Sequence, residues 1–196
     1  MIDLNNLEKC RETNRIEAKK ALGGLPHSIW ETYSAFANTL GGVILLGVEE
    51  YKDKTLHTVD LPDPEKLVKE FWDMVNNPNK TSVNVLSSKD VVIENVNGNH
   101  IVVIQIPRAD RTYKPVYVDG NPLNTYRRNG EGDYKCTGEE LRAMYRDASV
   151  KTQDCWCCRT WGWMCSTPTV FEGIGSGCVC PALAMFGTRW RTRNSC

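Results

Sequence analysis

The sequence predicts an α+β domain, a single mixed sheet with flanking helices over residues 1–154, followed by a tail over residues 155–196 that does not read as a selected sequence. Three observations carry this expectation. Residues 34–50 run from the end of an amphipathic helix through a Gly41-Gly42 stop into a continuous apolar run at 43–48. That run suits a buried strand, and it exits on two carboxylates, Glu49 and Glu50. Residues 91–96 and 100–106, joined through Asn97-Gly98, give the strongest hairpin signal in the chain. After Asp154 the composition breaks, because seven of the nine cysteines and four of the six tryptophans lie beyond it.

Residues 4–10 have the look of a short entry helix. In the stretch that follows, Ile16, Ala18 and Lys20 alternate with Glu17, Lys19 and Ala21, so an extended chain puts Glu17 and Lys19 on one face. Gly23-Gly24-Leu25-Pro26 is a turn. Ser28 and Glu31 have the spacing of a capping box that starts a helix at Ile29, with Ile29, Trp30, Tyr33, Ala37 and Leu40 as its buried face. Asp63-Pro64 opens a second helix striped by Leu67, Val68, Phe71, Trp72 and Val75. Residues 116–118 and 123–128, around Asp119-Gly120, suggest a weaker hairpin. Thr137 and Glu140 form a second capping box, opening a helix through Leu141, Met144 and Tyr145.

The chain has 196 residues, room for one domain of ordinary size with a real core. No apolar run reaches the ~18 residues a membrane span needs, and the N-terminus lacks a signal pattern, so the cytoplasm is the expected compartment. Formal net charge is zero, which argues against a globally basic nucleic-acid binder and leaves a local basic face open. Gly41-Gly42 and Gly47 do not make a phosphate-cradling Walker loop, since no Gly-Lys-Ser/Thr follows. His27, His57 and His100 have no ligand spacing, and Cys10 and Cys136 have no evident base partner.

The tail shows neither helical nor alternating apolar period. Cys155 and Cys158 are spaced as a zinc half-site, but Cys178 and Cys180 are not its matching half. Codons for the tail read one nucleotide earlier permit a leucine-containing, charge-balanced string with an Asp-Pro-Asp helix start. The expectation is a frame shift near Asp154 and a disordered tail, which the coding sequence tests directly.

Glu12, Glu17 and Lys19, then Ser34-Ala35-Phe36-Ala37-Asn38-Thr39-x-Gly41-Gly42, then Gly47-Val48-Glu49-Glu50 resemble the Schlafen-type AlbA domain, a nucleic-acid-binding family. Tyr113-Lys114-Pro115-Val116-Tyr117 and Thr125-Tyr126-Arg127-Arg128-Asn129-Gly130 look like its closing strands, so the resemblance spans roughly residues 5–150. Bacterial members often continue into further domains and are described as transcriptional regulators. The resemblance therefore implies the N-terminal module of a larger protein, cut short.

Two chemistries follow. Some Schlafen proteins are endoribonucleases with three carboxylates. Those positions match Glu12, Glu17 and Glu50 here, with Lys19 in the accompanying basic position, and the implied cofactor is Mg or Mn. Glu50 departs from the nuclease pattern, which has Asp, and the added methylene disturbs a site of tight geometry. Binding of DNA or RNA would instead use Lys19, Lys20, Arg108, Arg111, Lys114, Arg127 and Arg128 on phosphates, with Tyr113 and Tyr126 stacking on bases. The leading expectation is the binding module, with no certain cofactor, no membrane partner, and a homodimer as an assembly to test. The endoribonuclease and a protein-interaction module are the alternatives.

Overall fold

The structure, a computed structural model, describes residues 14–149. Glu12, Cys10, the expected entry helix and the Cys/Trp-rich tail lie outside the described residues. Among the described residues the strands and α-helices follow one another as β1 (Ile16–Lys19), α1 (Ile29–Asn38), β2 (Gly42–Leu46), β3 (Val48–Glu50), β4 (Leu56–Thr58), α2 (Pro64–Val75), β5 (Val91–Val96), β6 (Asn99–Ile106), β7 (Tyr126–Asn129), β8 (Gly132–Lys135) and α3 (Gly138–Ala148). The expected α+β class with a mixed sheet is what forms. The main sheet has the order β1-β2-β6-β5, with β1 parallel to β2 and the other pairs antiparallel. Two ribbons, β3-β4 and β7-β8, complete the strands.

Two apolar clusters cover the faces of the main sheet. One joins Ile44, Leu46, Val102, Ile104 and Ile106 to α1 and α2; Trp30 of α1 stacks on Phe71 of α2 at 5.6 Å. The other packs Val48 and Leu56 of the β3-β4 ribbon against Leu45, Val96 and Ile101. Burying each such large side chain stabilises the fold by roughly 1.5–3 kcal/mol before entropy is counted.

Helix α1 is buried nearly all round, Glu31 being its one residue outside the buried set, rather than along one face. It is a central helix, with the sheet on one side and the 116–129 segment on the other. The expected capping box at its start does not form. Ser28 is itself helical (φ −64°, ψ −11°) and makes no side-chain cap. Glu31 accepts a hydrogen bond from the Tyr126 hydroxyl instead (3.0 Å). Leu40, expected on the buried face, lies past the helix end and is 55% exposed. Gly41 takes φ +74° and donates its N–H to the Phe36 carbonyl at 2.9 Å, closing the helix in the left-handed manner glycine permits.

The expected single strand at 43–48 breaks at Gly47. There φ is +82°, and an added Cβ would lie 2.9 Å from Leu61 Cγ. This kink turns the chain off the main sheet and into β3, so that Glu49 and Glu50 sit on the ribbon. The Asn97-Gly98 hairpin forms as expected, with φ +53° and +84° as a type I′ turn requires.

The second hairpin expectation is corrected. Residues 116–125 contribute only the isolated bridges Thr81–Val118 and Tyr117–Thr125, and the strand that starts at Tyr126 pairs forward with β8 across Gly130. Asp63 caps α2 by accepting from Lys66 N (3.0 Å), and the Thr137/Glu140 capping box of α3 closes in both directions. In α3 only Leu141 is buried; Tyr145, expected on its apolar stripe, is 49% exposed.

Candidate functional site

The run 34–42 is a polar clamp inside an apolar helix. Ser34 Oγ donates to the Val116 carbonyl (2.7 Å) and accepts from Tyr126 N (3.0 Å). Asn38 donates through Nδ2 to the Val116 and Tyr126 carbonyls (2.8 and 3.0 Å) and accepts from Val116 N at 2.9 Å. Thr39 Oγ1 accepts from Arg128 N (3.0 Å). Residues 116, 126 and 128 are not held in the main sheet, so their backbone groups need partners, and three helix side chains supply them. Gly41 and Gly42 complete the fit: a Cβ at Gly41 would lie 2.7 Å from the Ile106 carbonyl oxygen, and one at Gly42 would lie 2.7 Å from the Phe36 ring. These roles escaped the sequence reading, which treated the run as helix and stop. Three hydroxyl and amide side chains on an otherwise buried helix were the available signal.

Around this clamp the predicted site residues fall into two groups. In the first, Glu17 and Lys19 share one face of β1, as alternation requires, and pair at 3.0 Å. The other oxygen of Glu17 meets Arg128 Nη2 at 2.8 Å, and Arg128 Nη1 meets Asp133 at 3.0 Å. The Arg128 side chain is 2% exposed and lies over the Phe36 ring at 5.1 Å. Burial opposes its charge, but Asp133 and Glu17 outweigh that and raise its pKa above the ordinary value. Expected on the phosphate-facing surface, Arg128 is an internal hub tying β1 to the β7-β8 ribbon. Asp133, which also accepts from Thr32 (2.8 Å), was not foreseen as part of it. On the rim, Lys20 pairs with Glu49 at 2.8 Å and Glu50 with Lys54 at 3.4 Å.

A metal centre would need Glu12, Glu17 and Glu50 to converge. Glu12 lies outside the described residues. Each oxygen of Glu17 already faces a cation, Glu50 is turned to Lys54, and no three metal-ligating side chains gather among the described residues. In this arrangement Glu17 and Glu50 are each set against cations rather than against one another.

The second group lines a cleft of about 450 Å³ between the 108–114 segment and α3. Arg108, Arg111 and Lys114 line it, with Ala109 and Met144 contributing apolar surface. The segment is strapped to α1 by Ala109 N donating to the Ala37 carbonyl (2.8 Å) and Lys114 Nζ donating to the Asn38 carbonyl (2.6 Å). Arg111 Nη1 donates to the Asp147 carbonyl of α3 at 2.8 Å. None of the three cations meets a carboxylate among the described residues. Lys114 is half-buried; desolvation, then the Arg108 charge, lowers its pKa. Tyr113 beside it is 58% exposed.

The remaining candidates are structural or peripheral. Tyr126 is buried, and desolvation followed by the Glu31 hydrogen bond pushes its pKa up to about 12, so its ring is not offered to a ligand. Arg127 is half-exposed and pairs with Glu140 at 2.9 Å. Burial, then Glu140, pushes the Cys136 thiol up to about 11, which keeps it protonated and unreactive at neutral pH.

A family model described as Schlafen, AlbA_2 matches residues 12–137. A solution structure of the N-terminal domain of a RecG-related protein from Nitrosomonas europaea is 31% identical, with 70% of this chain and 95% of that one covered and a TM-score of 0.53. The crystal structure of the DIP2311 protein from Corynebacterium diphtheriae is 18% identical, with a TM-score of 0.46, and covers 70% of this chain but 25% of its own. No curated protein matches at a significant level.

Proposed function

The chain belongs to the Schlafen AlbA_2 family, and from that premise we propose that it is a nucleic-acid-binding module whose main contact is the cleft of Arg108, Arg111 and Lys114. The observation that carries this is the charge state of the cleft. Most cations elsewhere near the clamp are neutralised by a carboxylate, among them Lys19, Lys20, Arg127 and Arg128. The three in the cleft form no ion pair among the described residues, although Asp110 and Asp147 line it too, and they share one concavity, with the exposed Tyr113 next to Lys114 in the chain. Such an arrangement favours a phosphate backbone with a base stacked at its edge. The DNA helicase relationship in the name of the Nitrosomonas relative supports the same reading. No helix among the described residues is long and apolar enough to cross a membrane.

The proposal extends to place. The module acts in the cytoplasm as the N-terminal part of a larger, transcription-regulator-like protein. Its test is direct binding of the full chain to single- and double-stranded DNA and RNA, followed by fluorescence anisotropy. Binding that weakens on Arg108→Ala supports the reading. Absence of binding to all four, or binding indifferent to Arg108, removes it.

A further inference from the structure

The cleft is held from both sides. Its 108–114 wall is tied at one side to the C-terminus of α1 through Ala109 and Lys114, and at the other to α3 through Arg111. Asp110 and Asp147 also line it, and both are exposed. Asp110 spends its carboxylate on the Thr112 N–H and hydroxyl, both at 3.1 Å, which hold its pKa below the ordinary carboxylate value. It therefore stays charged at neutral pH. An internal phosphodiester would bring two neighbouring phosphates to a cleft that also carries these two carboxylates. A strand end brings one neighbour only.

Charge count points the same way. A phosphodiester has one negative charge, whereas a terminal phosphomonoester carries nearly two at neutral pH and offers three acceptor oxygens. Lys114 has given one hydrogen bond to the Asn38 carbonyl and keeps two donors, and Arg108 makes no hydrogen bond or ion pair among the described residues. Burial and the neighbouring guanidinium both disfavour the ammonium of Lys114, a penalty that a dianion in the cleft would relieve.

We infer that this cleft is an end-binding pocket that takes the terminal phosphomonoester of a nucleic-acid strand, with Arg108, Arg111 and Lys114 around the phosphate and Tyr113 against the adjoining base. The inference rests on the nucleic-acid reading above and names which part of the ligand the cleft holds.

The experiment uses the full chain and one single-stranded sequence in three forms: unphosphorylated, 5′-phosphorylated and 3′-phosphorylated. A parallel titration with inorganic phosphate is followed through the amide resonances of residues 108–114. One phosphorylated form binds about ten-fold more tightly than the unphosphorylated strand, as one or two added charge-assisted hydrogen bonds imply, and which one it is distinguishes the two ends. The ratio falls to about one in Arg108→Gln and in Lys114→Met. Because the Arg108 side chain makes no hydrogen bond or ion pair among the described residues, its variant separates loss of the pocket from loss of structure. Equal affinity for all three strands overturns the pocket and leaves nucleic-acid binding standing. If no strand binds but inorganic phosphate shifts the 108–114 amides saturably, and Arg108→Gln abolishes the shift, the nucleic-acid reading falls and the phosphate pocket stands. No response to either ligand removes both.

Discussion

Arg127 and Arg128 are adjacent and chemically identical, and strand alternation sends them to opposite fates. Arg127 points outward to Glu140, and as an exposed pair it contributes little to stability. Arg128 points inward between Glu17 and Asp133. Arg128→Ala should therefore destabilise the fold by about 3–5 kcal/mol in urea unfolding, because the largely buried Asp133 loses its arginine partner and Glu17 is left with Lys19 alone. Arg127→Ala should change stability by less than about 1 kcal/mol. Equal losses would show that Arg128 is not the internal hub. Asn38→Ala should cost about 2–4 kcal/mol in the same assay, since it strands the Val116 N–H and the Tyr126 carbonyl and leaves the Val116 carbonyl with Ser34 alone. At high pH the tyrosines decide. Tyr33 and Tyr126 have pKa values raised from 10.0 to about 12 in the fold, chiefly by burial. The unfolded chain therefore loses these protons first. Their contribution is fully present below pH 10 and is lost as pH rises to about 12, so the urea midpoint should fall across that window and fall less in Tyr126→Phe.

Elements were legible where a local signal had no competitor. Asn97-Gly98 specifies its hairpin through two left-handed residues, and Asp63-Pro64 and Thr137/Glu140 specify helix starts by their own side chains. Ser28/Glu31 carried a similar signal and failed, because Glu31 had a tertiary partner in Tyr126 that spacing alone cannot reveal. The apolar run at 43–48 hid its break for another reason. Gly47 interrupts no hydrophobic pattern, and only its φ of +82° and its approach to Leu61 explain it. Gly47→Ala should accordingly cost more than the roughly 1 kcal/mol expected for a left-handed residue alone, with chemical-shift changes concentrated in the β3-β4 ribbon. Stability unchanged within about 0.5 kcal/mol would show that the kink does not need glycine.

Across the whole described domain, the α+β class and the two halves of the motif were visible in the chain, while the division of labour among its charged residues was not. Sequence grouped Lys19, Lys20, Arg127 and Arg128 with Arg108, Arg111 and Lys114 because all are cations. Only the fold shows that the first four are in ion pairs and that the last three form none among the described residues, though Asp110 and Asp147 line their cleft. That separation is the basis for locating ligand binding in the cleft, and its electrostatics give it a measurable signature. Contact between these cations and phosphate releases counter-ions, so log K should fall as log salt rises. The decisive measurement is this salt titration on the full chain and on Arg108→Ala. The cleft predicts a negative slope that is shallower in Arg108→Ala, whereas salt-independent binding, or a slope that Arg108→Ala leaves unchanged, would contradict it.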